Sequence, residues 1–244
     1  MAEMLWRAIV AGMLIVVTGG SRGLGAECAR QLAAQGHEVV LVASDTERLA
    51  ATAPAIGARA WIAADLGDTA QVRGVVSRVL TEHGVPDVVV LAHGVMSGKM
   101  TKTLRTDDAE WRRVMAINLD SIFSLMQGFG AGMAERRSGR IIVFSACMGR
   151  MSEMGNTGGF VPYRVSKAGV NALVRNLAHE TGHGARGLLV DAICPGHCRT
   201  DMGGPDAPRS VEEGAETAVW LATRAFDAGD TTGVLWEDRA IVPW

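Results

Sequence analysis

Short runs of aliphatic and β-branched residues alternate along the chain with longer stretches in which apolar positions recur every three or four residues. Leu14–Val17, Val39–Val42, Trp61–Ala64, Val88–Leu91, Ile141–Phe144, Leu188–Ile193 and a last run near Gly233–Trp236 read as strands. Between them the spacing predicts helices over about Leu24–Gln35, Thr46–Pro54, Thr69–His83, Asp107–Glu135, Tyr163–Thr181 and Val211–Thr223. Gly36 and Gly84 supply helix stops. The strands lack polar alternation, which indicates a parallel sheet buried on both faces. Strands and helices taken in turn give a single doubly wound α/β sheet with helices on both sides, and such sheets bind ligands beyond the carboxyl ends of their strands. Residues 1–12 are expected to be a loose extension and residues 13–244 one domain.

Composition narrows the function. Among 244 residues, 24 Lys and Arg face 26 Asp and Glu, for a net charge of −2, so no basic excess points to nucleic acid. No apolar run approaches the roughly 18 residues of a membrane span, and the first residues do not read as a secretory leader. Four scattered cysteines are too few for a disulfide framework in a chain of this length, so a reducing, cytoplasmic setting is expected. Cys194 and Cys198 flank Pro195-Gly196-His197, but no second Cys/His pair lies at zinc spacing, and no metal is expected. Glycine is abundant at 30 residues, whereas tyrosine occurs once, at Tyr163.

Chemistry first shows between the first strand and first helix, at Thr18-Gly19-Gly20-Ser21-Arg22-Gly23-Leu24-Gly25. Glycines there permit a tight turn and close approach of backbone N–H groups to a pyrophosphate, with the helix N-terminus adding partial positive charge. Tyr163 and Lys167 are four apart and share one helix face. Asn118 falls on the apolar stripe marked by Val114, Ile117, Ile122 and Leu125, so its amide requires a dedicated partner.

Taken together, Thr-Gly-x-x-x-Gly-x-Gly, Asp65-Leu66, Asn118, Tyr163-x-x-x-Lys167 and Pro195-Gly196-x-x-x-Thr200 resemble the short-chain dehydrogenases/reductases, in particular the carbonyl-reductase-like members. The resemblance runs from about residue 13 to the end. It implies a Rossmann-type domain and a nicotinamide dinucleotide touched by Gly19, Ser21, Arg22, Gly23, Leu24, Gly25, Ser44, Asp65, Leu66, Ala92, Gly94, Tyr163, Lys167, Pro195, Gly196 and Thr200. It further implies Tyr163 as general acid/base, Lys167 holding the ribose and Asn118 anchoring a proton relay; a nearby ammonium, together with the positive nicotinamide of the oxidised complex, is expected to favour the phenolate and lower the Tyr163 pKa. Homodimers or homotetramers are common among such proteins.

Ala43 and Ser44 end the second strand without a carboxylate, and Arg22 is placed to pair with a 2′-phosphate, which favours NADP. Asp45, one residue further on, keeps NAD in play. Two departures from the pattern matter. Ala146 stands where relatives carry a serine that hydrogen-bonds the substrate oxygen, leaving Ser145, Ser152 or a backbone N–H to take its place. His93 stands in Leu91-Ala92-His93-Gly94, where relatives carry Asn-Asn-Ala-Gly. The expected activity is NADPH-dependent reduction of a ketone or aldehyde, reversible to alcohol oxidation. The alternative is an isomerase, dehydratase or cyclase on the same fold. The substrate pocket is expected between the loops Arg150–Pro162 and His197–Arg209.

Overall fold

The computed structural model describes residues 12–152, 158–226 and 230–244. The extension expected over residues 1–12 and the middle of the loop after Arg150 therefore lie largely outside the described residues.

Eight strands form one sheet: β1 (Leu14–Thr18), β2 (Glu38–Ala43), β3 (Ala60–Ala63), β4 (Val88–Leu91), β5 (Gly139–Phe144), β6 (Leu188–Ile193), β7 (Leu235–Glu237) and β8 (Ala240–Val242). Their order is β3-β2-β1-β4-β5-β6-β7-β8, and every pairing is parallel except that of β7 with β8. The helices are α1 (Gly23–Ala34), α2 (Thr46–Ile56), α3 (Thr69–Glu82), α4 (Asp108–Met115), α5 (Ser121–Arg136), α6 (Val161–Glu180) and α7 (Val211–Thr223). The doubly wound class read from the sequence is the one observed.

Strand side chains alternate faces, and each face has its own core. Val16, Val40 and Val42 pack with Leu125 and Phe129 of α5 and Val170 and Val174 of α6. Ile15, Val17 and Leu41 pack with Leu32 of α1, Leu49 of α2 and Ala218 of α7. Because both faces are covered, the strands carry no polar rhythm. Strand order reverses between β1 and β4, which opens a crevice at the carboxyl ends of these two strands.

Two elements differ from the sequence reading. The helix expected over Asp107–Glu135 is interrupted by a π-helical turn at Ala116–Asp120, between α4 and α5. The turn holds Asn118, and such single-turn widenings recur at functional sites. Past Trp236, where the expected strands end, the chain forms a hairpin returning through β8, with Glu237 opposite Ala240. Its two central residues, Asp238 and Arg239, both have positive φ (49° and 61°), the geometry of a tight hairpin turn made here without glycine. No helix among the described residues is long and apolar enough to cross a membrane.

Candidate active site

The crevice begins at the glycine loop. Gly19 (φ 68°) and Gly23 (φ 55°) take left-handed conformations, and α1 starts at Gly23 with no side-chain cap on its N-terminus. The first-turn N–H groups of α1 are thus left to an anion. A Cβ on Gly25 would stand 2.3 Å from the Gly19 carbonyl oxygen, so this helix meets its strand only through glycine. Ser21 accepts a hydrogen bond from Thr52 at its carbonyl (3.1 Å), which ties the loop to α2.

Beyond β2 lies a cluster that the sequence reading only half anticipated. Arg22 forms an ion pair with Asp201, and Arg48 reaches the same carboxylate at 3.4 Å. Asp45 caps α2 by accepting from the Arg48 N–H (2.9 Å) and pairs with the Arg48 guanidinium (3.1 Å). Two guanidiniums therefore converge on one anion beside the exposed Ser44, while the carboxylate of Asp45 is already engaged. Arg48 and Asp201 are 153 positions apart, and no local spacing signals their meeting. Asp65 is exposed after β3 and accepts from the Gly67 N–H (2.8 Å), whereas Leu66 is buried in the core. Pro195 and Gly196 follow β6, and the Thr200 hydroxyl accepts from the Gly203 N–H (3.0 Å), which folds the loop across the strand ends.

At the centre, Tyr163 is 7% exposed and Lys167 4%, both on α6. The Lys167 ammonium lies 5.8 Å from the Tyr163 ring centroid and donates to the Phe144 carbonyl at 2.6 Å. Burial pulls the pKa of Lys167 down to about 8. Burial also pushes the Tyr163 phenol above its ordinary range, with Cys147 and Cys194 adding to the effect. In the free protein desolvation is thus the larger influence on the phenol, while the expected lowering belongs to the complex with oxidised cofactor.

Asn118 is fully buried and fully partnered. Its Oδ1 accepts from the Val95 N–H (2.8 Å), and its Nδ2 donates to the Val95 carbonyl (2.8 Å) and to Ser166 Oγ (3.1 Å). Ser166 in turn donates to the Tyr163 carbonyl (2.7 Å). The amide thus joins the π turn, the loop after β4 and the helix carrying Tyr163. Gly94 sits beside it: a Cβ there would lie 3.3 Å from Asn118 Oδ1 and 3.5 Å from Lys167 Nζ. Ala92 precedes it, half-buried at the end of β4.

His93 bridges Thr18 Oγ1 (2.6 Å, Nδ1) and Ser121 Oγ (2.7 Å, Nε2). Ser121 gives its own hydrogen to the Ile117 carbonyl (2.6 Å), so it accepts from His93, and the ring proton resides on Nε2. Burial, with the Lys167 charge second, drives the His93 pKa down to about 3 and keeps the ring neutral.

The two serines expected to stand in for the hydroxyl missing at Ala146 both have partners within the protein. Ser145 is buried, donates to Asn171 Oδ1 (2.5 Å) and lies 3.4 Å from the Lys167 carbonyl oxygen. Ser152 donates to the Trp244 carbonyl (3.0 Å). Among the described residues no cluster of three or more His, Cys, Asp and Glu side chains is arranged to hold a metal ion.

Comparison with known proteins agrees with this geometry. Residues 13–210 match the short chain dehydrogenase family. The 3-oxoacyl-[acyl-carrier-protein] reductase FabG of Escherichia coli (strain K12) is 32% identical over 192 residues, covering 78% of this chain and 75% of that protein. A solved structure described as ribose-5-phosphate isomerase from Brucella melitensis 16M superposes with a TM-score of 0.82 at 30% identity, covering 92% of this chain and 90% of that one. A short chain dehydrogenase from Burkholderia cenocepacia J2315 in complex with NADP gives 0.76 at 26% identity, covering 88% and 91%. The chain belongs to the short-chain dehydrogenase/reductase family and is an NAD(P)-dependent oxidoreductase acting on a carbonyl or alcohol.

Proposed function

We propose that this protein is an NADPH-dependent reductase of ketones or aldehydes, with Tyr163 as the proton donor. The observation that carries the reading is the burial of Tyr163 beside Lys167 at the switch-point crevice, with a phenol that is protonated at neutral pH. A protonated phenol is the acid that carbonyl reduction requires.

The residues present fit a nicotinamide dinucleotide. The uncapped N-terminus of α1 and the left-handed glycines 19 and 23 form a cradle for a pyrophosphate. Arg22 and Arg48 would take the 2′-phosphate in the place where Asp201 now neutralises them, and this cluster supports NADP over NAD. Ser21, Leu24, Gly25, Ser44, Asp65, Leu66, Ala92, Gly94, Pro195, Gly196 and Thr200 complete the proposed cofactor surface. When bound, the reduced nicotinamide supplies the hydride.

Tyr163 holds its proton toward the carbonyl oxygen. Lys167, cationic below about pH 8, steadies the phenolate left behind and would hold the ribose of a bound cofactor. Asn118 acts by position: its amide fixes Ser166 and, through it, the backbone of Tyr163. Ser145 acts in the same way, bracing Asn171 and the turn beneath Lys167 rather than donating to the substrate. Without a serine at 146, Tyr163 is the principal hydrogen-bond donor to the substrate oxygen.

The exposed side chains of Met151 and Met202 flank the expected pocket, which suits a moderately apolar carbonyl compound, with 3-oxoacyl thioesters a class worth including on account of the relatives. Trp111 of α4, Phe123 of α5 and Val165 of α6 leave apolar surface exposed, which supports a homodimer or homotetramer built on these helices.

The test is NADPH consumption at 340 nm across a panel of carbonyl compounds. Turnover abolished in Tyr163→Phe is the expected result, and full activity in that variant overturns the mechanism. Ala146 favours one rival, an isomerase, dehydratase or cyclase. A silent wild type that gains carbonyl reduction only as Ala146→Ser would support it.

A further inference from the structure

The loop after β4 carries a polar side chain that the proposed chemistry does not use. Ser97 is 5% exposed, and its Oγ has no hydrogen-bond partner among the described residues. Its neighbours are half-buried (Val95, Met96) or exposed (Gly98, Lys99, Met100), so within this stretch Ser97 alone turns its side chain fully inward. An orphaned buried hydroxyl costs stability, and native proteins keep few of them without a use.

The backbone around Ser97 is held from both sides. Asn118 clamps Val95 by its N–H and by its carbonyl, both at 2.8 Å. Arg113 donates to the Met96 carbonyl (3.1 Å), and the Gly98 N–H donates to Glu110 Oε1 (3.0 Å). Arg113 and Glu110 are themselves paired on α4 at 2.8 Å. The hydroxyl is thus carried on a fixed frame, which is how a recognition group is pre-organised.

Two further contacts place the loop across the end of α6 that carries Tyr163. At its start, a Cβ on Gly94 would lie 3.5 Å from Lys167 Nζ. Beyond Ser97, Met100 packs on the chain entering α6, where a Cβ on Gly159 would lie 2.8 Å from Met100 Cγ. Lys167 is four residues after Tyr163, and Gly159 is four before it. The loop therefore runs from one side of Tyr163 to the other, and Ser97 lies midway between the two anchor points, Gly94 and Met100.

We propose that Ser97 determines specificity: its hydroxyl binds a second oxygen of the substrate, an alcohol or carbonyl near the carbon being reduced. The proposal rests on the reductase reading, in which the reacting oxygen belongs to Tyr163. A serine hydroxyl both donates and accepts, so it can meet either kind of oxygen. A pocket that holds an unpaired hydroxyl discriminates against a ligand unable to pair it, because that ligand seals the hydroxyl from water without compensation. The substrate class is then a ketone or aldehyde with a second oxygen close by.

The experiment compares ketones matched in size: hydroxyacetone against butanone, and 4-hydroxybutan-2-one against pentan-2-one. Each pair exchanges a hydroxyl for a methyl. NADPH consumption gives kcat/KM for wild type and Ser97→Ala. The expected result is a wild-type preference of about tenfold or more for the hydroxyketone in at least one pair. Ser97→Ala should lose that preference and keep its turnover of the plain ketones. A preference absent from wild type, or retained in Ser97→Ala, overturns the proposal. So does an equal fall on all four compounds, which would make Ser97 a donor to the reacting oxygen or a structural residue.

Urea unfolding of the free proteins gives a second reading. Removing an orphaned hydroxyl should leave the midpoint unchanged or raise it; a lower midpoint would mean that the hydroxyl was already paired, and overturns the proposal. Saturation-transfer NMR of the four ketones on the complex with oxidised cofactor reads binding without turnover. If no compound is reduced, the reductase reading fails by itself. A hydroxyketone signal weakened in Ser97→Ala then still supports the assignment, and an unchanged one overturns it.

Discussion

Lys167 should make the protein less stable at neutral pH and more stable in alkali, and its replacement should show this directly. In the folded protein its pKa falls from 10.5 to about 8 because the ammonium is buried. Between pH 8 and 10.5 the unfolded chain carries a proton on this side chain that the folded protein lacks. Stability therefore rises with pH across that window. The full drop is worth about 3 kcal/mol at roughly 1.4 kcal/mol per pH unit, and the portion between pH 8 and 9.5 about 2 kcal/mol. Lys167→Met removes the titration. It also leaves the Phe144 carbonyl without its 2.6 Å donor, which offsets the gain by about 1–3 kcal/mol at every pH.

The difference in slope is thus a cleaner quantity than the difference in stability at one pH. Urea unfolding of both proteins at intervals from pH 7 to 9.5, at constant ionic strength, measures it. The wild type should gain about 2 kcal/mol relative to Lys167→Met over that range, and the variant should show no NADPH turnover. Parallel stability curves would refute the claim that Lys167 is desolvated in the folded state. Stopping at pH 9.5 keeps Tyr163 out of the measurement, since its deprotonation lies higher and acts with the opposite sign.

Other perturbations test neighbouring parts. As the sole tyrosine, Tyr163 owns the tyrosinate absorbance near 295 nm, which should appear above pH 10 in the free protein; a titration below 9 would contradict its desolvation. Arg22→Ala and Arg48→Ala should each raise KM for NADPH by about 10–100-fold, as loss of a charge-assisted contact implies, with NADH little affected; equal effects on both cofactors would remove the 2′-phosphate assignment. Asp201→Asn frees both arginines and should lower KM for NADPH. His93→Ala leaves Thr18 and Ser121 unpaired over a new cavity and should cost about 2–4 kcal/mol, while His93 itself, neutral to about pH 3, should contribute no limb to the pH–rate profile near 6.5.

What was legible in the sequence was whatever local spacing encodes. Buried strands such as Val88–Leu91 and the glycine loop before α1 announce themselves because each is short and obeys a single rule. Tyr163 and Lys167 are one helical turn apart, and both lie in the crevice. The π turn at Asn118 was not legible, since the apolar stripe continues through it and only the tertiary partners Val95 and Ser166 show why the helix widens. The hairpin to β8 escaped because Asp238-Arg239 makes a positive-φ turn without the glycine or asparagine that usually marks one. Arg48 and Asp201 escaped for a simpler reason: a pair drawn together by topology has no signature in spacing.

The same distinction explains why the acid/base state of the site had to come from the fold. The sequence places a tyrosine beside a lysine, and a neighbouring ammonium argues for an easier phenolate. Burial reverses the balance by acting on both groups, pushing the phenol up and the ammonium down, while His93, a third titratable group nearby, is kept uncharged. Among these three buried groups burial disfavours charge, so in the free protein Tyr163 holds its proton, as the proposed reading requires. With alanine at 146, the proposed reading leaves Tyr163 as the donor to the substrate oxygen, and in the free protein its buried phenol is a weaker acid than an ordinary one.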